Sequence, residues 1–118
     1  MKRVAILGST GSIGQSALSV IDAHPERLLV VGLAAGENVD RFAEQVARYR
    51  PAIVSLATKN ALTALEGRCP TDEIATDCGP DGLVAVATHP AVDIVLCASA
   101  GTAALGAALA AIEAGKTI

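Results

Sequence analysis

The sequence predicts an α/β fold, a doubly wound parallel sheet with helices on both faces. Three observations predict it. Short aliphatic runs alternate with segments whose apolar residues recur at helical spacing. Runs such as Val4-Ala5-Ile6-Leu7 are continuous, as strands buried on both faces of a parallel sheet require. Repeated strand–helix–strand order implies right-handed crossovers and helices on both faces.

Val4 to Leu7 is the first strand. A turn from Gly8 to Gly14 follows it. Ile13, Ala17, Val20 and Ile21 then fall on one face of a helix and are expected to pack inward. His24-Pro25 stops this helix. Leu28 to Ala34 is the second strand, ending at Ala35-Gly36. Asn38 is placed to cap the next helix, in which Val39, Phe42, Ala43 and Val46 share a face and Arg50-Pro51 ends the pattern. Ile53 to Leu56 is the third strand, with Thr58 capping a short helix through Leu65. Glu66 to Gly79 is irregular, with a short strand around Ile74. Pro80 suits a helix start, and Leu83 to Ala87 reads as a brief helix closed by His89-Pro90. Asp93 to Ala98 is the next strand. Leu105, Ala108, Leu109 and Ile112 mark a last helix, with Gly115 just past its end. Lys116-Thr117-Ile118 reads as the start of a further strand, so the chain is expected to be a fragment of a longer protein.

Composition narrows the function. Of 118 residues, 52% are hydrophobic, enough for one domain with a real core and too many for disorder. Phe42 and Tyr49 are the only aromatics, which leaves no platform for stacking nucleic-acid bases. The formal charge of -3 gives no basic footprint, so no nucleic-acid partner is expected. No apolar run approaches a membrane span, so no membrane partner is expected either. Cys69, Cys78 and Cys97 are odd in number and irregularly spaced, which points to reduced thiols and a cytoplasmic setting. Cys97 is expected to be a small core residue. No cluster has metal-ligand spacing. His24 and His89 are expected at caps or on the surface.

The chemistry concentrates in the turn after the first strand. Gly8, Gly11 and Gly14 form Gly-x-x-Gly-x-x-Gly, a variant of the dinucleotide fingerprint of Rossmann-like domains. A tight turn needs a residue tolerant of positive φ. A Cβ at Gly11 would obstruct a pyrophosphate. Gly14 lets the helix lie close to the sheet. The first-turn N–H groups and the helix dipole then face the phosphates, with Thr10 and Ser12 adding hydroxyls. The plainer alternative is a tight βα turn whose glycines serve geometry alone. Where such domains carry an acid for the ribose, after the second strand, the nearest candidate is Glu37, which either holds a ribose diol or is a solvated loop charge. Arg41 either reaches a ribose 2′-phosphate or is a surface charge. Ser99-Ala100-Gly101 follows a strand at the ligand-binding edge, where small residues serve either a close-lying dinucleotide or tight packing.

The run from Val4 to Gly14 closely resembles the start of the 1-deoxy-D-xylulose 5-phosphate reductoisomerase family. The resemblance continues through Ala35-Gly36-Glu37-Asn38-Val39, Ala87-Thr88-His89-Pro90, Val92-Asp93-Ile94-Val95 and Ala110 to Ile118. It implies an NADP-binding Rossmann-like domain over residues 1–118, with catalytic and C-terminal domains outside this chain. The implied reaction rearranges 1-deoxy-D-xylulose 5-phosphate and reduces it with NADPH to 2-C-methyl-D-erythritol 4-phosphate, in non-mevalonate isoprenoid biosynthesis. Implied partners are a phosphorylated sugar and a second subunit in a homodimer, with magnesium or manganese bound outside this chain. By the same resemblance Thr10, Gly11, Ser12 and Ile13 bind the pyrophosphate side of the cofactor, and Gly36, Glu37 and Asn38 the adenosine ribose side. The family usually has a basic residue where this chain has Glu37. The fragment alone is expected to be inactive. The residues also admit the first domain of another NAD(P)-dependent dehydrogenase, of homoserine or semialdehyde type, or a stand-alone nucleotide-binding regulatory module.

Overall fold

A computed structural model describes residues 1–99 and 101–118. The chain runs β1 (Lys2–Leu7), α1 (Ser12–Ala23), β2 (Leu28–Ala34), α2 (Val39–Tyr49), β3 (Ile53–Leu56), α3 (Lys59–Glu66), β4 (Ala75–Cys78), α4 (Gly79–Ala87), β5 (Ile94–Cys97) and α5 (Thr102–Glu113). The strands form one parallel sheet in the order β4-β3-β2-β1-β5. The chain steps outward from β1 to β4 and then returns to the other side of β1. That reversal is the switch point at which doubly wound sheets open a crevice for ligands.

Two cores sandwich the sheet. Leu18 and Ile21 of α1, Phe42 and Val46 of α2 and Leu65 of α3 pack against Val4, Ile6, Leu33, Val54 and Leu56. On the opposite face Val86 of α4 and Ala107 and Ala111 of α5 pack against Ala5, Leu7, Val31, Ile53 and Val95. A register shift in β2 sets which side chains go where. Val4 pairs with Val30 but Ala5 pairs with Gly32, so Val31 is an extra residue. Without it Leu33 would share the face of Val31; with it Leu33 joins the core beneath Phe42.

The strand runs at 28–34 and 53–56 agree with the sequence expectation, as do the caps. Asn38 accepts from the Arg41 N–H at 3.3 Å, and Thr58 accepts from the Ala61 N–H at 3.1 Å. Gly115 follows the end of α5 with φ +82°. The predicted strand start at Lys116–Ile118 is present as a parallel bridge between Ile94 and Thr117. Some boundaries move: β4 begins at Ala75, just after Ile74, and α4 begins at Gly79 rather than Leu83.

Burial departs from expectation in α1 and at Cys97. In α1 the inward positions are Gly14, Leu18 and Ile21, while Ile13 and Val20 are exposed. The close approach of Gly14 to the turn rotates the helix so that its smallest residue, not Ile13, faces the sheet. In α5 the buried residues are Ala104, Ala107 and Ala111, while Leu105, Leu109 and Ile112 are each more than half exposed. Alanines let α5 lie close to α4 and the sheet, and the large side chains take the other face. Cys97 is exposed, because it ends an outer strand and opens into a recess beside Leu105 and Ala108.

Candidate nucleotide-binding site

The turn between β1 and α1 shows why Gly8 and Gly14 are needed. Gly8 has φ +91°, and a Cβ there would lie 2.9 Å from the Ser99 Cβ. Its N–H donates to the Ala34 carbonyl at 2.8 Å, which ties the turn to the end of β2. A Cβ on Gly14 would collide with the Gly8 carbonyl oxygen and lie 2.7 Å from the Ser9 Cα. Gly11 differs: it has φ -76° at the N-cap of α1, and a Cβ there meets only the Gly8 oxygen at 3.7 Å. The protein's own packing therefore leaves open the space beside Gly11. The Gln15 N–H donates to the Gly11 carbonyl at 2.9 Å. The N–H groups of Ser12, Ile13 and Gly14 precede that bond and stand at the positive end of the helix. Thr10 is half-buried, and Ser12 and Ile13 are exposed beside it.

Side chains from the helices hold this turn from behind. The buried Ser9 hydroxyl donates to Gln45 Oε1 at 2.7 Å, and Gln45 Nε2 donates to the Ser9 carbonyl at 2.9 Å. Gln15 Nε2 donates to the Thr10 carbonyl at 2.8 Å, and Arg41 donates to Gln15 Oε1 at 2.6 Å. Sequence reasoning missed both glutamines. Gln45 left one trace, a polar residue on the helical face that carries Phe42 and Val46.

Gly36, Glu37 and Asn38 lie exposed in the β2–α2 loop, on the same edge of the sheet as the glycine turn. The Gly36 carbonyl accepts from the Ala57 N–H at 3.1 Å, and nothing lies within 4 Å of where its Cβ would be. Asn38 spends its oxygen on the α2 cap, so its amide nitrogen remains as the donor. Arg41 sits one turn along, already engaged by Gln15.

A recess of about 210 Å³ opens at this edge, lined by Gly8, Ala35, Gly36, Leu56, Ala57, Gly79, Pro80, Leu83, Ser99 and Ala103. Residues following all five strands contribute to it, and its walls are largely apolar. Such a recess suits a flat heterocycle and ribose, with the turn holding charged groups at its rim. Ser99 packs tightly on Gly8, so for that residue close packing is realised, and it also lines the recess. Ala100 lies outside the described residues. His24 closes α1, its carbonyl accepting from Arg27 and Leu28, and His89 Nδ1 accepts from the Ala91 N–H at 3.1 Å. Both serve turns. Among the described residues no group of three or more His, Cys, Asp or Glu side chains could hold a metal ion. Among the described residues no helix is long and apolar enough to cross a membrane.

Known proteins agree on one family. The model for 1-deoxy-D-xylulose 5-phosphate reductoisomerase matches residues 4–118. A 1-deoxy-D-xylulose 5-phosphate reductoisomerase of Anaeromyxobacter sp. (strain K) is 50% identical over 120 residues, covering 100% of this chain and 30% of that protein. A 1-deoxy-D-xylulose 5-phosphate reductoisomerase 1 of Bacillus anthracis is 45% identical over 118 residues, covering 100% of this chain and 30% of that protein. A crystal structure of DOX-P reductoisomerase in complex with NADPH, fosmidomycin and magnesium superposes with TM-score 0.90 at 34% identity, covering 98% of this chain and 29% of the other. The Zymomonas mobilis enzyme in complex with NADPH superposes with TM-score 0.87 at 34% identity, covering 98% of this chain and 30% of the other. This chain thus spans about 30% of the length of the relatives it matches. With the match running from the first strand to the last residue, the chain belongs to the 1-deoxy-D-xylulose 5-phosphate reductoisomerase family.

Proposed function

We propose that residues 1–118 form the NADPH-binding domain of a reductoisomerase that converts 1-deoxy-D-xylulose 5-phosphate to 2-C-methyl-D-erythritol 4-phosphate. The observation that carries this reading is the open space at Gly11, at the positive end of α1 and on the same sheet edge as an apolar recess. The Thr10 and Ser12 hydroxyls and the N–H groups of Ser12 and Ile13 bind the pyrophosphate. Gly36, Glu37 and Asn38 border the adenosine ribose, with the Asn38 amide as donor. Bound NADPH supplies the hydride for the reduction. The residues of this chain bind and orient it, and its small-residue turn keeps the backbone close to the phosphates.

The described residues offer no group of three or more His, Cys, Asp or Glu for magnesium or manganese, and on the family reading the metal and the sugar phosphate are held elsewhere in the parent protein. The parent protein is proposed to act as a homodimer in the cytoplasm. Family membership favours this reading over a homoserine or semialdehyde dehydrogenase and over a regulatory module. The test is titration of NADPH into the parent protein, followed by reduced-nicotinamide fluorescence. Saturable binding, with NADPH consumed when 1-deoxy-D-xylulose 5-phosphate and manganese are added, supports it. A folded protein that does not bind NADPH overturns it.

A further inference from the structure

The bond pattern around Ser9 assigns a task to a residue that lies behind the nucleotide turn. Ser9 is fully buried and Gln45 nearly so. They exchange two hydrogen bonds, one through the serine hydroxyl and one through the serine carbonyl. The two bonds have different consequences. The hydroxyl bond satisfies a buried side chain. The carbonyl bond fixes a peptide plane. In a trans peptide the carbonyl and the following N–H point in opposite directions, and the described chain has no cis peptide. Drawing the Ser9 carbonyl toward α2 therefore turns the Thr10 N–H away from α2. That N–H has no acceptor among the described residues. The peptide before it is anchored as well, since the Ser9 N–H donates to the Ala34 carbonyl at 3.0 Å.

We propose that Gln45 is a positioning residue of the cofactor site: by holding the Ser9 carbonyl it aims the Thr10 N–H at the cofactor pyrophosphate. This rests on the cofactor reading above. Gln45 does not touch the cofactor; it removes the freedom of the Ser9–Thr10 peptide to flip. A turn already set in its binding orientation loses less entropy when the phosphates arrive. The carbonyl bond, not the hydroxyl bond, carries the effect.

The two bonds can be broken separately. In the parent protein, Ser9→Ala removes the hydroxyl and leaves the carbonyl held. Gln45→Leu removes both bonds at similar volume. Gln45→Glu keeps an acceptor for the hydroxyl and sets an acceptor against the Ser9 carbonyl, and it serves as the second variant if Gln45→Leu does not fold. For each, NADPH Kd, NADPH KM, kcat at saturating NADPH and Tm are measured. The expected result is a rise of at least fivefold in Kd and KM for the Gln45 variants, with kcat within twofold of wild type. Ser9→Ala should lower Tm yet leave Kd within twofold. Unchanged Kd in folded Gln45 variants overturns the proposal, as does a Kd that rises equally in Ser9→Ala. A wild type that binds no NADPH overturns the cofactor reading itself and this proposal with it.

Discussion

Asp93 takes three hydrogen bonds from a single residue, Arg3. Its Oδ2 accepts from the Arg3 backbone N–H at 2.9 Å and from Arg3 Nε at 3.2 Å, and its Oδ1 accepts from the guanidinium at 3.4 Å. The Asp93 N–H returns a bond to the Arg3 carbonyl at 2.8 Å. This exchange seals the pairing of β1 with β5, the step at which the chain reverses direction across the sheet. The hydrogen bonds from Arg3 hold the Asp93 carboxyl below the usual carboxylate range.

That shift has a definite sign. A carboxyl whose pKa is lower folded than unfolded stabilises the fold above the unfolded value and loses this as pH falls through the folded one. Wild type is therefore expected to be more stable than Asp93→Asn at neutral pH, with the gap closing below about pH 3.9, the unfolded aspartate value. Urea midpoints of both proteins from pH 7 to pH 2.5 measure it. A gap independent of pH would mean that the charge of Asp93 contributes nothing.

The glycines of the turn should separate by their effect. Gly14→Ala places a methyl 2.7 Å from the Ser9 Cα, where only backbone movement gives relief. A loss of about 2 kcal/mol or more in unfolding free energy is expected from overpacking. Gly11→Val meets no such barrier and should cost less than about 1 kcal/mol of stability, while weakening NADPH binding at least tenfold, about 1.4 kcal/mol. Denaturation and NADPH titration of the two variants check this pair. Equal stability losses would contradict the geometry.

On the proposed cofactor reading Glu37 borders the ribose side, where the 2′-phosphate of NADPH carries close to two negative charges. At roughly 6 Å in water-like surroundings each unit pair amounts to about 0.7 kcal/mol. Glu37→Lys changes the side-chain charge by two units, a gross effect of about 3 kcal/mol, which screening and side-chain motion reduce to about 1 kcal/mol. NADPH should be preferred in both proteins, and the ratio of kcat/KM for NADPH over NADH should rise several-fold in the variant. An unchanged ratio would place Glu37 away from the 2′-phosphate. A native preference for NADH would make it a ribose-diol ligand.

Helix α5 offers a test of its orientation. Ala107 is fully buried against the sheet, while Leu109 is more than half exposed. Ala107→Leu should destabilise by about 1–3 kcal/mol through overpacking. Leu109→Ser should cost no more than about 0.5 kcal/mol, as surface changes do. The reverse order in thermal denaturation of this chain would mean that α5 is rotated from the orientation described.

The isolated 118-residue chain is expected to show no reductoisomerase turnover. NADPH absorbance should stay flat with 1-deoxy-D-xylulose 5-phosphate and manganese present. Turnover by highly purified chain would place the chemistry within these residues.

The sequence by itself determined the parallel α/β class, strands 28–34 and 53–56, the Asn38 and Thr58 caps and the glycine turn. Each depends on neighbours in the chain: a continuous aliphatic run, a side chain three residues from the N–H it caps, a glycine where φ must be positive. The tertiary structure decided which helix faces turn inward and what holds the turn. Helical spacing put Ile13 and Val20 inside α1, and for α5 it marked the helix through Leu105, Leu109 and Ile112 without fixing its inward face. Packing instead chose Gly14, Ala104, Ala107 and Ala111, because small residues permit close approach between elements far apart in sequence. The grip of Gln45 on Ser9 spans 36 positions. No local pattern encodes it, because the two residues meet only once α2 has docked beside β1.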